Sequence, residues 1–391
     1  MGEVYERTGG KEGGSGKRQA AGGREEAASG KRQAPRWRRS GGRPSAVWWQ
    51  TVLVLVDHYL TPGPLSGVAG EVRRARRLGF RGVMAAETSH DPFLALAVAA
   101  REAPGLELGT AVAVAFARSP MTLAHSAWDL AALTEGRFLL GLGTQIRPHI
   151  VGRFSMPWSA PVPRLREFVA ALRSIWAAWQ HGEPLRFRGE HFRFSLMTPF
   201  FDPGPIEHAD VPVALAAVGR AMCRLVGEVG DGIHIHPLHT RRYLEGVVFP
   251  EIVKGAARSG RDPAAVTRIA TLFAVTGRDE SAMKQSADGV KRRIAFYAST
   301  PAYRGVLDAH GWEVGEALTA MTKRGEWDQM ASLIDDEMLA TLAVVAPPEG
   351  LARAIRERCA GTIDRLGLVF GAGDELTEDE RGVLVEELSR A

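Results

Sequence analysis

The chain contains 391 residues, of which 45% are hydrophobic, 24% charged and 7% aromatic. This composition is typical of a globular protein and excludes a collagen-like, wholly disordered or disulfide-scaffold chain. Two cysteines, Cys223 and Cys359, are too few for a disulfide framework and favour a reduced, cytoplasmic setting. No apolar run reaches the roughly 18 residues of a membrane span.

The basic charge of the chain is concentrated at its start. Residues 1–46 contain eleven Lys or Arg and five Glu, a net charge of +6 against +4 for the whole chain, so the remainder is slightly acidic. A slightly acidic body does not favour nucleic-acid binding. Residues 1–46 also contain eleven Gly and almost no apolar side chain before Trp37. We expect a disordered extension without a secretory signal, or a start codon placed too early.

From residue 51 onward, strand-like and helix-like segments alternate. Short apolar runs rich in β-branched residues predict strands, and amphipathic segments between them predict helices. Asp91-Pro92 and Ser119-Pro120 each predict a helix start, because an N-cap side chain precedes a proline at the first helical position. The predicted strands are 51–57, 82–86, 106–114, 138–142, 211–216, 232–236, 268–276 and 366–370.

Eight strands that alternate with helices predict an α/β fold with a parallel sheet. Eight units in about 320 residues fit a closed (β/α)8 TIM barrel better than an open doubly wound sheet. The nearest approach to a dinucleotide-binding glycine motif, at 141–146, lacks the third glycine. We therefore expect one barrel domain over residues 51–391, with insertions after strands four and seven, at 145–162 and 298–345.

Small residues follow three of the predicted strands. In a barrel of this type the chemistry lies at the carboxyl ends of the strands, where small residues let the backbone approach a flat ring or a phosphate. The third turn opens a helix, whose free N–H groups and dipole favour an anion. A phosphate site and a tight strand-to-helix turn explain it equally well. The three turns are Gly109-Thr110-Ala111, Gly143-Thr144 and Ala217-Val218-Gly219.

Candidate proton-transfer groups follow strands two and four. Glu87 and His90 come directly after strand two, where a carboxylate or an imidazole could donate or accept a proton. A salt bridge or a helix cap is the alternative role for them. His149 lies in a loop rich in Arg, Pro and Trp, which is either a lid or a surface connection.

Two histidines, His234 and His236, alternate to the same face of strand six. Such a pair occurs in metal-dependent barrel hydrolases, but a metal site needs further ligands that this strand does not supply. We therefore favour pocket lining over metal binding and expect no metal site. Cys223 has no His or Lys neighbour to activate it, so it receives no catalytic role.

Four segments together resemble the bacterial luciferase-like monooxygenase superfamily. Their order and spacing are most similar to the branch that uses the deazaflavin coenzyme F-420, and the resemblance extends from about residue 51 to residue 370. The segments are GFRGVMAAETSHD (79–91), LGTAVAVAFARSP (108–120), AHSAWDLAALTEGRFLLGLGTQ (124–145) and PVALAAVGRAMCRLVGEVGDG (212–232).

The resemblance implies a barrel, usually dimeric, with the deazaflavin lying across the strand ends. It places a non-proline cis peptide at Ala111-Val112, beneath the ring, and places Gly143 and Thr144 along the cofactor. Thr110 and His234 join these positions as further candidates for contact with the cofactor. The phosphate would be held by the turn after strand five, formed by Ala216, Ala217, Val218 and Gly219.

The chain also departs from the best-known members. Sugar-phosphate dehydrogenases of this branch carry Asp-His after strand two, where this chain has Glu87-Thr88, and a glutamate after strand four, where it has Gln145-Ile146. The resemblance therefore does not imply a sugar-phosphate substrate. His90 and His149 are the available substitutes for the missing groups.

These observations predict a cytoplasmic, homodimeric oxidoreductase that transfers a hydride between coenzyme F-420 and a small organic molecule, with neither nucleic acid nor membrane as a partner. Glu87, His90 and His149 are the predicted catalytic residues. One alternative is an FMN-dependent monooxygenase fed by a separate reductase. Two others are a metal-dependent hydrolase that uses His234 and His236, and a non-catalytic protein that binds flavin or deazaflavin on the same fold.

Overall fold

The computed structural model describes residues 54–371 and 376–390. The predicted extension at 1–46 and the first residues of predicted strand one, 51–53, lie outside the described residues. Among the described helices, none is both long and apolar enough to cross a lipid bilayer.

Eight parallel strands close into a barrel, which confirms the predicted (β/α)8 fold. In chain order, the strands of the described part are β1 (Leu55–Tyr59), β2 (Gly82–Ala85), β3 (Glu107–Thr110), β4 (Ala113–Val114), β5 (Phe138–Gly143), β6 (Phe187–Arg188), β7 (Arg193–Phe194), β8 (Val213–Ala217), β9 (Gly232–Ile235), β10 (Thr267–Val275), β11 (Ala343–Val345) and β12 (Arg365–Phe370). The ring runs β1-β2-β3-β5-β8-β9-β10-β12, and it is closed because β12 pairs with both β10 and β1.

Helices surround the barrel, and their starts follow the predicted capping signals. Asp91 accepts a hydrogen bond from the N–H of Phe93, and Ser119 accepts one from the N–H of Thr122. In chain order, the helices are α1 (Leu65–Arg77), α2 (Pro92–Glu102), α3 (Pro120–Leu133), α4 (Pro161–His181), α5 (Arg220–Val229), α6 (Arg241–Tyr243), α7 (Phe249–Arg258), α8 (Glu280–Ala298), α9 (Arg304–Asp308), α10 (Val314–Arg324), α11 (Asp336–Leu342), α12 (Pro348–Cys359) and α13 (Glu378–Ser389).

Two predicted elements are divided in the structure. The predicted strand at 106–114 is interrupted at Ala111 and Val112, because the Thr110 hydroxyl takes part in the ladder between β3 and β5. This hydroxyl donates to the carbonyl of Gly141 at 2.6 Å and accepts from its N–H at 2.9 Å. The predicted helix at 241–259 contains a wider π-helical turn at Leu244–Val248. Pro250 follows that turn and has no N–H to continue the helical hydrogen bonds.

The insertions after β5 and β10 are both present. After β5, a π-helical turn at His149–Arg153 precedes α4, and the β6–β7 hairpin then packs on α4. The Glu167 carboxylate holds this hairpin, because it accepts from the backbone N–H groups of Glu190 and His191, each at 2.9 Å. The insertion at 298–345 follows α8, contains α9 to α11 and ends in β11, which pairs with the carboxyl end of β10.

A buried ion cluster fills the amino-terminal end of the barrel interior. The Arg365 guanidinium contacts Asp57 at 2.8 and 2.5 Å and also contacts Glu107. All three side chains are at most 5% exposed. A Cβ atom on Gly82 would lie 2.7 Å from the Asp57 carboxylate, so the cluster leaves room only for glycine at that position of β2. The cluster therefore plugs the end of the barrel opposite the predicted site.

Candidate active site

The predicted cofactor-contacting residues come together at the carboxyl ends of β3, β5, β8 and β9. These strands are neighbours in the barrel, and their register places Ala216 of β8 beside His234 of β9. Thr110 ends β3 and Gly143 ends β5. The cluster at this end of the barrel is formed by Thr110, Ala111, Val112, Gly143, Thr144, Ala216, Ala217, Val218, Gly219 and His234.

The turn between β3 and β4 has the backbone conformation that the resemblance implies. The peptide bond between Ala111 and Val112 is cis. Thr110 is fully buried, and the two residues after it are half-buried. The carbonyl of Val112 accepts from the N–H of Glu87 at 3.2 Å. The residues after β2 and the turn after β3 are therefore joined directly.

The surface beside this turn is lined by residues with little or no side chain. A Cβ atom on Gly141 would lie 1.9 Å from the Thr110 carbonyl oxygen, and one on Gly143 would lie 2.7 Å from a Val112 methyl group. Ala216 flanks Gly143 from β8. Thr144 follows, half-buried, with its hydroxyl donating to the Gln145 carbonyl at 3.1 Å. This backbone-lined surface can accept a flat ring.

The turn after β8 forms an uncapped helix start. Gly219 is the N-cap of α5, and no side chain caps its first N–H groups. A Cβ atom on Gly219 would meet nothing within 4 Å, so the space before the helix is open. The Tyr243 hydroxyl donates to the Val218 carbonyl at 3.1 Å and holds the turn. Free N–H groups and the helix dipole make this a fitting place for a phosphate group.

His234 lies beneath this surface, inside the barrel. Its side chain is buried, and its Nε2 atom has no hydrogen-bond partner among the described residues. The ring packs against Gly141, where an added Cβ atom would lie 2.4 Å from Nε2. Burial and the positive charge of Arg365 lower the pKa of His234 to about 3. The imidazole is therefore neutral at pH 7 and lies beside the Thr110 carbonyl.

Glu87 is held in an ion pair next to the β3–β4 turn. Its carboxylate accepts from the N–H of Val114 at 2.7 Å and contacts the Arg118 guanidinium at 2.5 Å. Arg118 also contacts Asp91 at 2.8 Å and lies over the Phe93 ring. Glu87 is thus close to the predicted ring position, but its carboxylate already has two partners.

The other two predicted catalytic residues lie on exposed loops. His90 lies just before α2, and His149 starts the π-helical turn after β5. The two loops adjoin, because the Arg153 guanidinium donates to the carbonyl of Thr88. The structure therefore brings the loops together without burying either imidazole.

A second group of residues at the strand ends has no counterpart in the predicted set. His236, directly after β9, contacts the ring of Tyr297 near the end of α8 and the ring of Tyr303 in the insertion at 298–345. The alternation of His234 and His236 identified this histidine from sequence, but no motif marks the two tyrosines. Their proximity depends on how the insertion folds back over the barrel.

His234 lies in β9 and His236 directly after it, and neither belongs to a metal-ligand group of the described residues. Within residues 54–371 and 376–390, no group of three or more His, Cys, Asp or Glu side chains could hold a metal ion. His236 directs its Nδ1 atom to the N–H of Leu238, while His234 faces Gly141. The hydrolase alternative therefore lacks a ligand set in the described part of the chain.

A separate cavity of about 490 Å³ lies between α1, α13 and the ends of β1 and β12. Its walls are largely apolar and include Phe80 and Leu368. The Glu71 carboxylate in this cavity accepts from the Thr61 N–H at 2.9 Å and contacts His58 at 2.8 Å. None of the predicted site residues lines it.

The chain is similar to proteins of known sequence and structure over most of its length. An uncharacterised protein of Mycobacterium tuberculosis (strain ATCC 25618 / H37Rv) is 48% identical over 80% of this chain and 93% of the relative. A 5,10-methylenetetrahydromethanopterin reductase of Methanolobus tindarius is 26% identical over 76% of this chain and 88% of the relative.

A solved structure and a family model extend the comparison to the fold. The structure of a coenzyme F-420-dependent tetrahydromethanopterin reductase from Methanopyrus kandleri matches 86% of this chain and 98% of its own, with a TM-score of 0.70 at 18% identity. The model of the family described as luciferase-like monooxygenase matches residues 51–365. The chain therefore belongs to the luciferase-like monooxygenase family.

Proposed function

We propose that this protein is an oxidoreductase that uses coenzyme F-420 to transfer a hydride to or from a small organic substrate. The observation that carries the proposal is the pairing of an uncapped helix start at Gly219 with the backbone-lined surface at Gly143. A flat ring joined to a phosphate fits that pair of features. Membership of the luciferase-like family and similarity to a coenzyme F-420-dependent reductase support the same cofactor class.

Different residues at the strand ends would contact different parts of such a cofactor. The first N–H groups of α5 would bind the phosphate, and the turn of 216–219 would position it. Gly143, Thr144 and the Ala111-Val112 turn would lie along the ring, while His234 would support the surface from inside the barrel. When bound, the deazaflavin supplies hydride chemistry, and the protein supplies binding, orientation and exclusion of water.

We retain Glu87, His90 and His149 as the proposed proton-transfer groups. Glu87 borders the proposed ring position, whereas His90 and His149 lie on the two adjoining loops joined by Arg153. The double substitution Glu87→Gln with His90→Ala tests the assignment of the first two. Unchanged turnover would remove them from the reaction.

FMN is the alternative cofactor, because it also joins a flat ring to a phosphate. The family model is described as a monooxygenase, and this description favours FMN as the second candidate. An FMN-dependent monooxygenase would need oxygen and a separate reductase, whereas an F-420 enzyme would need no oxygen and would use oxidised or reduced F-420 as its hydride acceptor or donor.

A cofactor titration separates the two candidates. Oxidised F-420 and FMN are each added to the full chain, and fluorescence quenching gives the two dissociation constants. We expect F-420 to bind at least about tenfold more tightly than FMN, a difference of about 1.4 kcal/mol. The reverse order would assign the protein to the flavin-dependent monooxygenases.

The variant Gly219→Asp tests the phosphate position. Gly219 has φ −73° and ψ 153°, which any residue adopts, and aspartate is a favourable N-cap, so the variant should fold. Its carboxylate would occupy the proposed phosphate position and repel the phosphate of the cofactor. The affinity for F-420 should therefore fall more than about tenfold. Gly67→Asp, at an exposed glycine of α1 with open surroundings, is the matched control. Equal affinity of both variants would place the phosphate elsewhere.

We also propose that the protein is a homodimer, as the resemblance implies. Multi-angle light scattering of the full chain tests this directly. A mass near that of one 42.3 kDa chain would contradict it.

A further inference from the structure

Three rings that carry hydrogen-bond donors pack together where the end of β9 meets α8 and the insertion that follows it. The ring of His236 lies 4.1 Å from the ring of Tyr303, centroid to centroid, with a tilt of 31°. The ring of Tyr297 meets His236 edge-on at 4.6 Å. We name His236, Tyr297 and Tyr303 the aromatic donor cluster. Nothing in the proposed cofactor site uses it.

His236 is a neutral donor in this cluster. Its Nδ1 atom accepts from the Leu238 N–H at 3.1 Å, so in the neutral ring the proton is on Nε2. Burial and the charge of His239 lower the pKa of His236 to about 3, which keeps the ring neutral at pH 7. Nε2 has no hydrogen-bond partner within the described residues, and it is not among the fully buried unpaired atoms. Nε2 is therefore not completely buried.

The two phenol hydroxyls are equally free to bind a ligand. No described residue forms a hydrogen bond with the hydroxyl of Tyr297 or Tyr303, and neither oxygen is sealed from solvent. Burial and the proximity of Tyr297 raise the pKa of Tyr303 to about 12, so its hydroxyl keeps its proton at pH 7. Two phenol O–H groups beside one imidazole N–H therefore offer three donors, and no acceptor of the described residues competes for them.

Aromatic side chains border the cluster, and the guanidinium next to it in sequence has partners of its own. Phe296 and Trp327 extend the aromatic surface from Tyr297 and remain 53% and 48% exposed. Arg304, the residue after Tyr303, directs its guanidinium to Thr319 at 3.3 Å and to Glu316 at 3.7 Å. A phosphorylated substrate would need cationic partners, whereas a neutral ligand with an apolar body would not.

We propose that the aromatic donor cluster is a substrate subsite that binds the carbonyl or hydroxyl oxygen of a neutral organic molecule with an aromatic or extended apolar body. The three donors hold the oxygen, and the exposed rings of Phe296 and Trp327 cover the apolar body. The reaction to which this subsite would contribute rests on the proposed function. The subsite itself is a binding surface and can be tested without the cofactor.

The experiment compares an aryl ketone with its hydrocarbon analogue. Acetophenone, ethylbenzene and glucose 6-phosphate are titrated into the cofactor-free full chain, and binding is followed by ligand-observed NMR. We expect acetophenone to bind about tenfold more tightly than ethylbenzene, because it alone can accept the hydrogen bonds. Glucose 6-phosphate should bind more weakly than either. Absence of ketone binding, or a preference for the sugar phosphate, would overturn the proposal.

A variant that keeps the rings tests the donors themselves. In the double variant Tyr297→Phe with Tyr303→Phe, the aromatic packing is retained while both hydroxyls are lost. The ketone preference should fall to less than about threefold. His236→Phe should lower it too, whereas His181→Phe, at an exposed histidine of α4, should leave it unchanged. An unchanged preference in the double variant would assign the cluster to packing alone.

Cofactor binding separates this proposal from the proposed function. The double variant should bind F-420 with the wild-type affinity, and a parallel loss would place the cluster in the cofactor site and overturn the subsite. Failure of the wild-type protein to bind F-420 would overturn the proposed function. The ketone comparison would still test the subsite, because it is made without the cofactor. With a turnover substrate, the double variant should raise KM while the affinity for F-420 stays constant.

Discussion

Single side chains at the strand ends decide how closely the chain can approach a cofactor. Gly141 is the clearest case, because its Cα lies against the Thr110 carbonyl and the ring of His234. Thr110 contributes its hydroxyl to both backbone groups of Gly141. One threonine, one glycine and one histidine therefore shape the floor of the proposed site from three different strands.

Gly141→Ala should destabilise the protein by about 3 kcal/mol. The added methyl group would lie 1.9 Å from a carbonyl oxygen of the backbone, which cannot rotate away as a flexible side chain could. Urea denaturation measures the change in unfolding free energy. Gly152→Ala, where a methyl group meets nothing within 4 Å, is the control. Equal stability of the two variants would show that β3 and β5 are less tightly joined here than the structure indicates.

Glu87→Gln should weaken F-420 binding about tenfold. The substitution removes the negative charge that faces the Arg118 guanidinium, so the charge-assisted contact that holds the β3–β4 turn is weakened. Fluorescence titration measures the affinity. The pH profile of kcat separates two roles: loss of affinity with an unchanged profile identifies a positioning residue, whereas a displaced limb supports the proton-transfer role.

The sequence predicts the identity of the site residues better than their contacts. Small residues after β3, β5 and β8 were identifiable because close backbone approach requires them. The partners of Glu87 were not, since Arg118 is 31 residues away and an acidic residue after a strand has many possible partners. Tyr297 and Tyr303 were not predicted for the same reason, because the contacts of Tyr297 at the end of α8 and of Tyr303 in the insertion depend on the tertiary fold.

Pairs of elements hold the proposed phosphate site in place. Helix α5 packs closely on α7, because a Cβ atom on Gly227 or on Gly255 would lie within 2.0 Å of a carbonyl oxygen of the other helix. Buried Glu251 of α7 joins the two helices through Arg224 of α5, at 2.9 Å from its Nε atom. The start of α5 is therefore positioned by the helix beside it.

Glu251→Gln should remove the part of the pH dependence of the unfolding free energy that Glu251 causes at acid pH. Lys254 and Arg224 hold the pKa of Glu251 at about 2, below its ordinary value of 4.5. Because the folded-state pKa is the lower one, this contribution is complete above about pH 4.5 and is lost as the pH falls towards 2. Urea denaturation between pH 6 and 2.5 should show a shallower decline in the variant. Glu357→Gln, at an exposed glutamate of α12, should keep the wild-type decline.

At the level of elements, the eight barrel strands were predictable because buried parallel strands are short apolar runs. The interruption of β3 was not, since it depends on a tertiary contact of the Thr110 hydroxyl. The π-helical turn before α7 was not predictable from the pattern of apolar residues either, although Pro250 lies two residues after it. Local sequence patterns were therefore sufficient to predict that a strand or helix exists, but not to predict where it is interrupted.

Closure of the barrel is a property of the whole molecule. The buried ion cluster depends on it, because its side chains come from the first and last strands of the barrel as well as from β3. Arg365 and Asp57 are 308 residues apart, yet they share two hydrogen bonds. No local pattern could predict that pairing. The prediction of a closed barrel depended instead on the number of strand–helix units and on the resemblance to the family.

Arg365→Met should destabilise the protein by about 4 kcal/mol. The variant leaves the carboxylates of Asp57 and Glu107 close together in the barrel without their cation, and removing one partner of a buried ion pair typically has an effect of that size. Urea denaturation provides the measurement. Arg292→Met, at an exposed arginine of α8, should change stability by less than about 0.5 kcal/mol. A similarly small effect at Arg365 would mean that the cluster does not contribute to closing the barrel.

The charge of the whole chain leads to a test of residues 1–46. These residues carry a net charge of +6, and removing them would leave a chain with −2. The predicted cofactor and substrate residues all lie beyond residue 86. A chain that begins at residue 47 should therefore bind F-420 with unchanged affinity at about 0.15 M salt, where exposed charges are largely screened beyond about 8 Å. It should also elute earlier from heparin, because the basic residues are concentrated in the removed segment. Loss of F-420 affinity would show that residues 1–46 contribute to the site, and such a result would contradict a start codon placed too early.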